Sequence, residues 1–382
     1  MQRSFINSTL AISMIAFLSC YTIMPAATSH CGLNDSSGVC PVARYKIIDL
    51  GTPKLEAAQL SKLEKGYSLA PVINNFSLIL YNLADGAYLR DPKVGEYSLN
   101  LPGIKVYGHA INNEGKIIVS LQRPESDIEW MVWAKKTSPM KTAVAEKWHI
   151  ASLNPNIRAF FSAINDQGTV IGYEEHDNKL RPLVWSNPIG LHNLGKHLGY
   201  DIAGFPRAIN TNEVIVGDFH ESSISMPMIW SPSKGIEIQR NYHNQLESKG
   251  WIELSDMVIG QQGVVFGNYL LKNASKKDAN PDDIGHYFLY RWNPEKDEFQ
   301  RLGIRDMRLT SINSSNTMAG SYKGRAAIFN EGQQPIDLNN QLINPEGKWE
   351  LIEATAINDR GHIVGFGRYY GELHLFLLEP TL

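Results

Sequence analysis

The stretch from Ser162 to Gly172 reads S-A-I-N-D-Q-G-T-V-I-G and predicts a β-hairpin. Ala163 to Asn165 end one strand, and a tight turn over Asp166 to Gly168 follows. Asparagine and aspartate suit such a turn because their side chains accept hydrogen bonds from nearby backbone amides, and glycine suits a position that needs positive φ. The β-branched run from Thr169 to Ile171 is typical of the second strand. This hairpin pattern is the unit from which most of the chain is built.

The same pattern returns along the chain, each time around an isoleucine. The seven anchor isoleucines are Ile73, Ile111, Ile164, Ile209, Ile259, Ile312 and Ile357. A glycine recurs eight residues after five of them, at Gly172, Gly217, Gly267, Gly320 and Gly365. Successive anchors are 38, 53, 45, 50, 53 and 45 residues apart, about 47 on average. This is the period of a four-stranded propeller blade, roughly 40 to 50 residues.

Each repeat continues with a third strand that carries an aromatic residue near its end, followed by a short fourth strand. The aromatic residues are Trp133, Trp185, Trp230, Trp292, Phe329 and Phe376. One such residue per blade on equivalent strands is typical of the core between blades, and stacking against sugars is the alternative. The repeated turn asparagines likewise have a structural reason for their position, with a ligand-binding ring of amides as the alternative.

The stretch from Tyr45 to Thr52 resembles a fourth strand, yet it precedes the first repeat. The chain ends at Leu382, shortly after an aromatic third strand. We therefore expect the N-terminal strand to complete the last blade, which closes the ring and removes exposed strand edges. The sequence thus predicts an all-β protein, a seven-bladed β-propeller of four-stranded blades closed by the N-terminal strand. Lys54 to Gly66 contains good helix formers and is expected to be a crossover into the first blade.

The sequence predicts three segments: a signal peptide over residues 1–29, a tether over residues 30–44 and the propeller over residues 45–382. The leader has Arg3 near its start and a 15-residue apolar run from Leu10 to Met24. A membrane-spanning helix needs about 20 apolar residues, so a cleaved signal peptide is favoured. The alternatives are an uncleaved anchor and a lipoprotein that is lipidated at Cys20.

Two cysteines, Cys31 and Cys40, remain after removal of such a leader. A close, even pair in an exported chain predicts one disulfide in an oxidising compartment. We therefore expect the protein to be secreted, or to lie in the periplasm or outside the cell, after cleavage.

The charge of the chain limits its partners. The sequence has 36 basic and 39 acidic residues among 382, a formal net charge of -3, and no long basic run. We expect no nucleic-acid partner and no membrane span in the mature chain, because such partners leave a basic or an apolar footprint. A monomer that binds a protein or glycan ligand at the cell surface or outside the cell is the expectation.

The motif A-I-N-D-x-G-x-I-V-G, followed by an aromatic strand and an I-D-L-G-T sequence, resembles the HAF-type extracellular repeat family. The resemblance covers roughly residues 45 to 378 and is strongest at 162–195, 206–235 and 354–378. Glu213 stands where glycine is usual and Gly260 where asparagine is usual, which questions those two turns. The resemblance implies an exported protein made of such repeats; it implies no activity and no catalytic residues.

Polar residues stand two positions before most of the anchor isoleucines, at His109, Ser162, Arg207, Thr310 and Thr355. If the first strand of each blade is innermost, these side chains lie near the central channel. His109 and Arg207 then suit an anionic ligand such as an acidic sugar. The alternative is that the five residues only bind backbone groups and water in the channel.

A second set of candidates follows the closing glycines of two neighbouring repeats. Glu174 and His176 follow Gly172, and Asp218 and His220 follow Gly217. Carboxylates and imidazoles that converge on one face suit a divalent metal or acid–base catalysis. The alternative is a solvated loop, and we predict neither a metal site nor a cofactor.

Familiar enzyme signatures are absent from the sequence, including G-x-S-x-G, H-E-x-x-H and the Walker A motif. The sequence therefore favours an exported β-propeller that acts as a binding or interaction module rather than as an enzyme. The alternative is a carbohydrate-active hydrolase or lyase with its site on the face of the third and fourth blades. A surface repeat without a defined small ligand is a third possibility.

Overall fold

The structure is a computed structural model. It describes residues 44–53, 69–123, 128–135, 144–149, 158–176, 179–187, 189–194, 203–221, 224–239, 251–273, 281–296 and 298–381. The predicted signal peptide, Cys20, the predicted Cys31–Cys40 disulfide and the Lys54–Gly66 crossover lie outside the described residues.

Seven antiparallel sheets of four strands each form a seven-bladed β-propeller, as predicted. The first two blades consist of β2 (Val72–Ile73), β3 (Ile79–Leu83), β4 (Gly86–Asp91) and β5 (Gly95–Ser98), then β6 (Lys105–Ile111), β7 (Lys116–Gln122), β8 (Glu129–Lys135) and β9 (Val144–His149). Blades 3 and 4 consist of β10 (Arg158–Ile164), β11 (Val170–His176), β12 (Lys179–Ser186) and β13 (Gly190–Asn193), then β14 (Ala203–Ile209), β15 (Ile215–Glu221), β16 (Ile224–Ser231) and β17 (Gly235–Ile238).

Blades 5 and 6 consist of β18 (Trp251–Ile259), β19 (Val265–Asn273), β20 (Tyr287–Asn293) and β21 (Glu298–Arg305), then β22 (Met307–Ile312), β23 (Met318–Tyr322), β24 (Arg325–Phe329) and β25 (Ile336–Asp337). The last blade consists of β26 (Trp349–Ile357), β27 (Ile363–Tyr369), β28 (Glu372–Thr381) and β1 (Arg44–Gly51). Short 3-10 helices span Pro281–Asp283 and Leu338–Gln341.

Closure of the ring follows the prediction. Strand β1 pairs antiparallel with β28 and is the outer strand of blade 7, so the two ends of the propeller share one sheet. Arg44 lies opposite Thr381 and Ile48 lies opposite Leu377 in this pairing. The shared sheet removes the free edge that blade 7 would otherwise have at β28.

The repeated hairpin takes the same geometry in every blade. Each of the seven anchor isoleucines is the last residue of its blade's first strand. The positive-φ position of the turn is occupied by Ser77, Gly115, Gly168, Glu213, Gly263, Asn316 and Gly361. The turns at Glu213 and Gly260, questioned by the sequence, both form, with Glu213 N donating to Asn210 O at 3.1 Å and Gly263 N donating to Gly260 O at 3.0 Å.

The closing glycines allow a β-bulge in the first strand. In blade 3, Ser162 is the extra residue, because Phe161 pairs with Gly172 and Ala163 pairs with Ile171. A Cβ atom at Gly172 would lie 2.0 Å from Phe160 O, and one at Gly217 would lie 2.0 Å from Phe205 O. The bulge pushes the strand's backbone against the glycine, so no larger residue fits opposite it.

The core lies between neighbouring blades. One cluster joins Val216 and Ile229 of blade 4 to Leu254, Val265 and Trp292 of blade 5. Five of the third-strand aromatics are buried, as predicted for core residues: Trp133, Trp185, Trp292, Phe329 and Phe376. Trp230 is half-buried and packs against the blade 3–4 cluster.

Candidate functional site

Bulges recur in the first strands of blades 2 to 7 and define a ring of side chains. In each of these strands one extra residue has no partner on the neighbouring strand. Such a bulge changes the direction in which the side chain points. The six residues are His109, Ser162, Arg207, Asp256, Thr310 and Thr355. All six line one central cavity of about 270 Å³. The first strands are therefore innermost, and the five residues predicted from their spacing to the isoleucines do lie at the channel.

Arg207 and Asp218 form a buried ion pair within blade 4. Arg207 Nε lies 2.5 Å from Asp218 Oδ1, and His220 Nε2 contacts the other oxygen of this carboxylate. Burial alone would raise the pKa of Asp218, but Arg207 and His220 outweigh it and hold the pKa below its ordinary value. The Arg207 guanidinium also stacks over the Phe205 ring, at 4.6 Å from its centroid. These contacts hold Arg207 rigidly in the cavity wall.

A second charged group spans three blades. Arg308 Nε on β22 lies 3.4 Å from Asp256 Oδ2 on β18, and Arg308 Nη1 lies 4.0 Å from Glu353 Oε2 on β26. Asp256 and Glu353 line the cavity and are buried. Burial raises the pKa of Glu353 to about 7, although Arg308 opposes this effect. The wall therefore contains a carboxyl group that can gain or lose a proton near neutral pH.

Two hydroxyl groups near the cavity have unused hydrogen-bonding capacity. Ser162 Oγ is buried and has no hydrogen-bond partner in the described part of the chain. The same holds for the Tyr290 hydroxyl, whose pKa is raised by burial and by the nearby Asp218 carboxylate. Buried polar groups without a protein partner usually bind water or a ligand. Of the two residues, Ser162 lines the cavity, so its hydroxyl is the group of the wall that has hydrogen-bonding capacity for a ligand.

The threonines of the ring have a structural role. Thr310 Oγ1 donates to Ala354 O of the next blade at 2.7 Å, and Thr355 Oγ1 reaches Pro71 O at 2.6 Å. These two residues join neighbouring blades. The residues of the ring that carry charge are Arg207 and Asp256.

The formal charge of the wall is near zero. Two guanidinium groups, of Arg207 and Arg308, face three carboxyl groups, of Asp218, Asp256 and Glu353. The formal charge of these five groups is -1, or 0 when Glu353 carries its proton. The positive charge of Arg207 is thus balanced within the wall instead of being available to an anion.

The remaining predicted site residues do not all meet at this cavity. His109 lines it from blade 2, with Nε2 2.8 Å from Ser120 Oγ and its ring 4.6 Å from the Trp130 ring centroid. Glu174 is buried within blade 3, 4.0 Å from Arg181, and is not among the lining residues. His176 ends β11, and its side chain lies outside the described part.

The opposite mouth of the channel is built from the turn asparagines. Each Oδ1 accepts from backbone amides of its own turn, as Asn358 does from His362 N at 2.9 Å. In five of the six asparagines, Nδ2 also donates to the equivalent backbone carbonyl of the next blade. The pairs are Asn74 to Asn112, Asn112 to Asn165, Asn165 to Asn210, Asn313 to Asn358 and Asn358 to Asn74. The asparagines therefore join the blades into a ring, which supports their structural interpretation.

This asparagine ring is interrupted in blade 5. Gly260 occupies the asparagine position, so it provides no side chain toward Asn313. The neighbouring Asn210 Nδ2 is buried without a hydrogen-bond partner among the described residues. The turns enclose a polar cavity of about 290 Å³ at this mouth.

Sequence reasoning missed three charged residues at the cavity: Asp256 and Glu353, which line it, and Arg308, which pairs with both. Asp256 was missed because the bulge of blade 5 lies one residue earlier, with Met257 opposite Gly267. Arg308 and Glu353 stand two residues before Thr310 and Thr355. Charged residues at alternating positions of an innermost strand are the signal that would have found them.

Two further features are absent from the described residues. No group of three or more His, Cys, Asp or Glu side chains there has the arrangement of a metal site. No helix in these ranges is long and apolar enough to cross a membrane.

Comparisons with known proteins support the fold. An oligogalacturonate lyase from Vibrio parahaemolyticus aligns with a TM-score of 0.51 and 10% identity, over 88% of this chain and 98% of the lyase. An oligogalacturonate lyase in complex with manganese aligns with a TM-score of 0.50 and 11% identity, over 89% and 99% of the two chains. At these identities the likeness shows the propeller fold alone. No protein-family model matches the chain, and no curated protein matches it.

Proposed function

We propose that this protein is an exported binding propeller that takes a small, hydroxyl-rich carbohydrate group in its central cavity. The observation that carries the proposal is the ring of bulges, which places one side chain from each of six blades at a single cavity. A cavity of about 270 Å³ is just smaller than the usual ligand pocket of about 300 to 1,000 Å³, so it suits a single sugar ring.

The chemistry of the wall favours a neutral ligand. Arg207 provides donors, Asp256 and Glu353 provide acceptors, and Ser162 provides a hydroxyl with unused capacity. Neighbouring sugar hydroxyls both donate and accept, so they match such a mixture. Because the formal charge of the wall lies between 0 and -1, an acidic sugar gains no net attraction there. The fold neighbours named as oligogalacturonate lyases are consistent with the carbohydrate class, at the level of the fold only.

The test is calorimetric titration of residues 30–382 with a neutral and an acidic series, cello-oligosaccharides and oligogalacturonates of one to six units. We expect the neutral series to bind more tightly, and Asp256→Asn to weaken binding by tenfold or more because a ligand acceptor is changed. Asp359→Asn, at the opposite mouth, is the control and should bind like the wild type. Tighter binding of the acidic series would overturn the neutral-ligand proposal, and no binding of either would overturn the carbohydrate proposal.

A carbohydrate-active hydrolase or lyase is the second candidate. It is favoured by Glu353, a cavity-lining carboxyl whose pKa of about 7 suits proton donation at neutral pH. Ion pairs fix the positions of Arg308, Arg207 and Asp218. Charged groups that are fixed in advance can stabilise the charge that develops in a transition state. Incubation of the same oligosaccharides should then give products with the wild type and none with Glu353→Gln, while Glu353→Gln still binds. Absence of products with the wild type leaves the binding function.

Export rests on the sequence of residues 1–29 and on the resemblance to HAF-type repeats. We expect the mature chain to begin at residue 30 and to contain a Cys31–Cys40 disulfide. Mass spectrometry of the mature protein, before and after reduction and alkylation, tests both. A mature chain that retains residues 1–29, or one lipidated at Cys20, would contradict this proposal.

A further inference from the structure

A cluster of aromatic side chains lies at the start of the innermost strand of blade 7. Trp349 begins β26 and is paired with Tyr369 of β27, with ring centroids 5.0 Å apart. Tyr370 follows at 4.8 Å from Tyr369, and the His374 ring lies 5.3 Å from Tyr369. His374 Nδ1 also lies 3.0 Å from the carboxylate of Asp49 on β1. We call these five residues the rim cluster.

Tyr370 is unusual within this cluster. Its φ is +50° and that of Gly371 is +92°, so the β27–β28 hairpin takes a turn with two left-handed residues. The first position of such a turn strongly favours asparagine, aspartate or glycine, and a bulky residue there is strained. Tyr370 is nevertheless 68% exposed, so burial of its ring does not offset the strain. Strained residues of this kind tend to occur at functional sites.

The rim cluster and the central cavity are connected by one strand. Trp349 and Glu353 are four residues apart on β26, about 13 Å along the strand. The hairpin that carries Tyr370 lies at the start of β26, whereas the turn asparagines lie at its other end. The cluster therefore lies on the side of the propeller away from the asparagine ring, and it extends from the innermost strand β26 outward across β27 and β28 to β1.

We propose that the rim cluster is a second subsite for the same carbohydrate, so that the ligand is an oligosaccharide with one end in the central cavity. This inference rests on the proposed function. The exposed Tyr370 ring offers a face for a pyranose ring, and the His374–Asp49 pair offers a donor and acceptors to its hydroxyls. The distance along β26 leaves room for intermediate sugar units between the two subsites.

The surroundings of Tyr370 favour a sugar over a protein partner. The ring stands among exposed polar residues, Arg368 and Glu372 on the flanking strands and Lys348 before β26. Protein interfaces need a continuous patch of several hundred Å², which a single tyrosine ring does not provide. A single exposed ring with polar groups beside it matches one face of one sugar unit.

The test compares glucose with cellopentaose, and galacturonic acid with its pentamer, by calorimetry on residues 30–382. The variant is Tyr370→Asn, which removes the ring and suits the left-handed backbone, so its melting temperature should equal or exceed that of the wild type. The matched control is Phe76→Ala, because Phe76 is also an exposed aromatic, at 60%, but lies in an asparagine turn at the opposite mouth.

We expect Tyr370→Asn to weaken pentamer binding about three- to tenfold and to leave monosaccharide binding unchanged. Phe76→Ala should change neither. Equal affinity of the wild type for monomer and pentamer, or an equal loss for both in Tyr370→Asn, would overturn the rim subsite while leaving the cavity site intact. No binding of any of these sugars by the wild type would instead overturn the proposed function, and the rim subsite with it.

Discussion

The two ends of the channel use the same repeat in opposite ways. At the asparagine mouth, six of seven blades present an asparagine. Each side-chain amide hydrogen-bonds to its own turn, and five of the six also hydrogen-bond to the next blade. At the bulges, six blades share one backbone geometry but present five different residue types. Positions that are alike hold the blades together, and positions that differ face the cavity. In this propeller, departures from the repeat are the guide to chemistry.

The repeat itself provides the bulge that directs a side chain toward the channel. Four closing glycines accommodate a bulge, because a Cβ atom at Gly172, Gly217, Gly320 or Gly365 would lie only 1.9 to 2.1 Å from a backbone oxygen of the bulged strand. The bulge then turns one side chain toward the channel whatever its type. At this position, the hydroxyl groups of Thr310 and Thr355 hydrogen-bond to backbone carbonyls of the next blade. Arg207 and Asp256 instead provide charged groups that line the cavity.

The largest effect is expected from Asp218→Asn in the charged wall. It leaves the Arg207 guanidinium buried without its counter-charge and should lower the free energy of unfolding by about 3–5 kcal/mol. Asp359→Asn is the matched change at the asparagine mouth, where the carboxylate is only half-buried, and should cost about 1 kcal/mol or less. Urea denaturation of both variants measures the difference. Equal losses would mean that the two mouths do not differ in electrostatic burial.

Glu353→Gln should change how stability depends on pH. The pKa of Glu353 in the folded protein, about 7, lies above its ordinary value of 4.5, so its contribution to stability is full below about pH 4.5 and is lost as pH rises through 7. The glutamine variant avoids this loss and should gain on the wild type by at most about 3 kcal/mol at pH 8. Parallel stability curves from pH 4.5 to 8 would contradict the assignment.

Two asparagines of the ring should differ when each is replaced by alanine. Asn358 accepts from Arg360 N and His362 N and donates across the blade boundary to Asn74 O at 3.0 Å. Asn210 makes the two local bonds but no such donation within the described part. Asn358→Ala should therefore cost about 1 kcal/mol more than Asn210→Ala in thermal or urea unfolding. A larger cost at Asn210 would show that the ring does not stabilise the contact between blades.

The smallest effect is expected from Gly260→Asn, which restores the missing member of the ring. Gly260 is not in the left-handed region, and a Cβ atom there has no neighbour closer than 3.6 Å. The new amide should accept from its own turn and donate to Asn313 O, raising the free energy of unfolding by about 1 kcal/mol. Gly260→Ala is the control, because it adds a Cβ atom at the same position without the amide group. A destabilised Gly260→Asn protein would mean that the gap in the ring serves another purpose.

The sequence was sufficient for the architecture because repetition makes local signals reinforce one another. Seven isoleucine anchors predicted seven blades, and the fourth-strand character of Tyr45 to Thr52 predicted the closure. The spacing to the anchors also predicted channel positions for His109 and Arg207. It did not predict that Arg207 is neutralised by Asp218, nor that Glu174 lies apart, paired with Arg181.

What the sequence alone determined is therefore everything that recurs: the strand order, the turns with their left-handed position, the closing glycines of blades 3 to 7 and the aromatic core. These follow from local backbone preferences, which act within one repeat. Only the tertiary structure decided which charges meet. Arg308 is 52 residues from Asp256 and 45 residues from Glu353 in the chain, and the three become neighbours because the ring sets the first strands of blades 5, 6 and 7 side by side. The pKa of Glu353 depends on that burial and on those neighbours, so no single repeat encodes it.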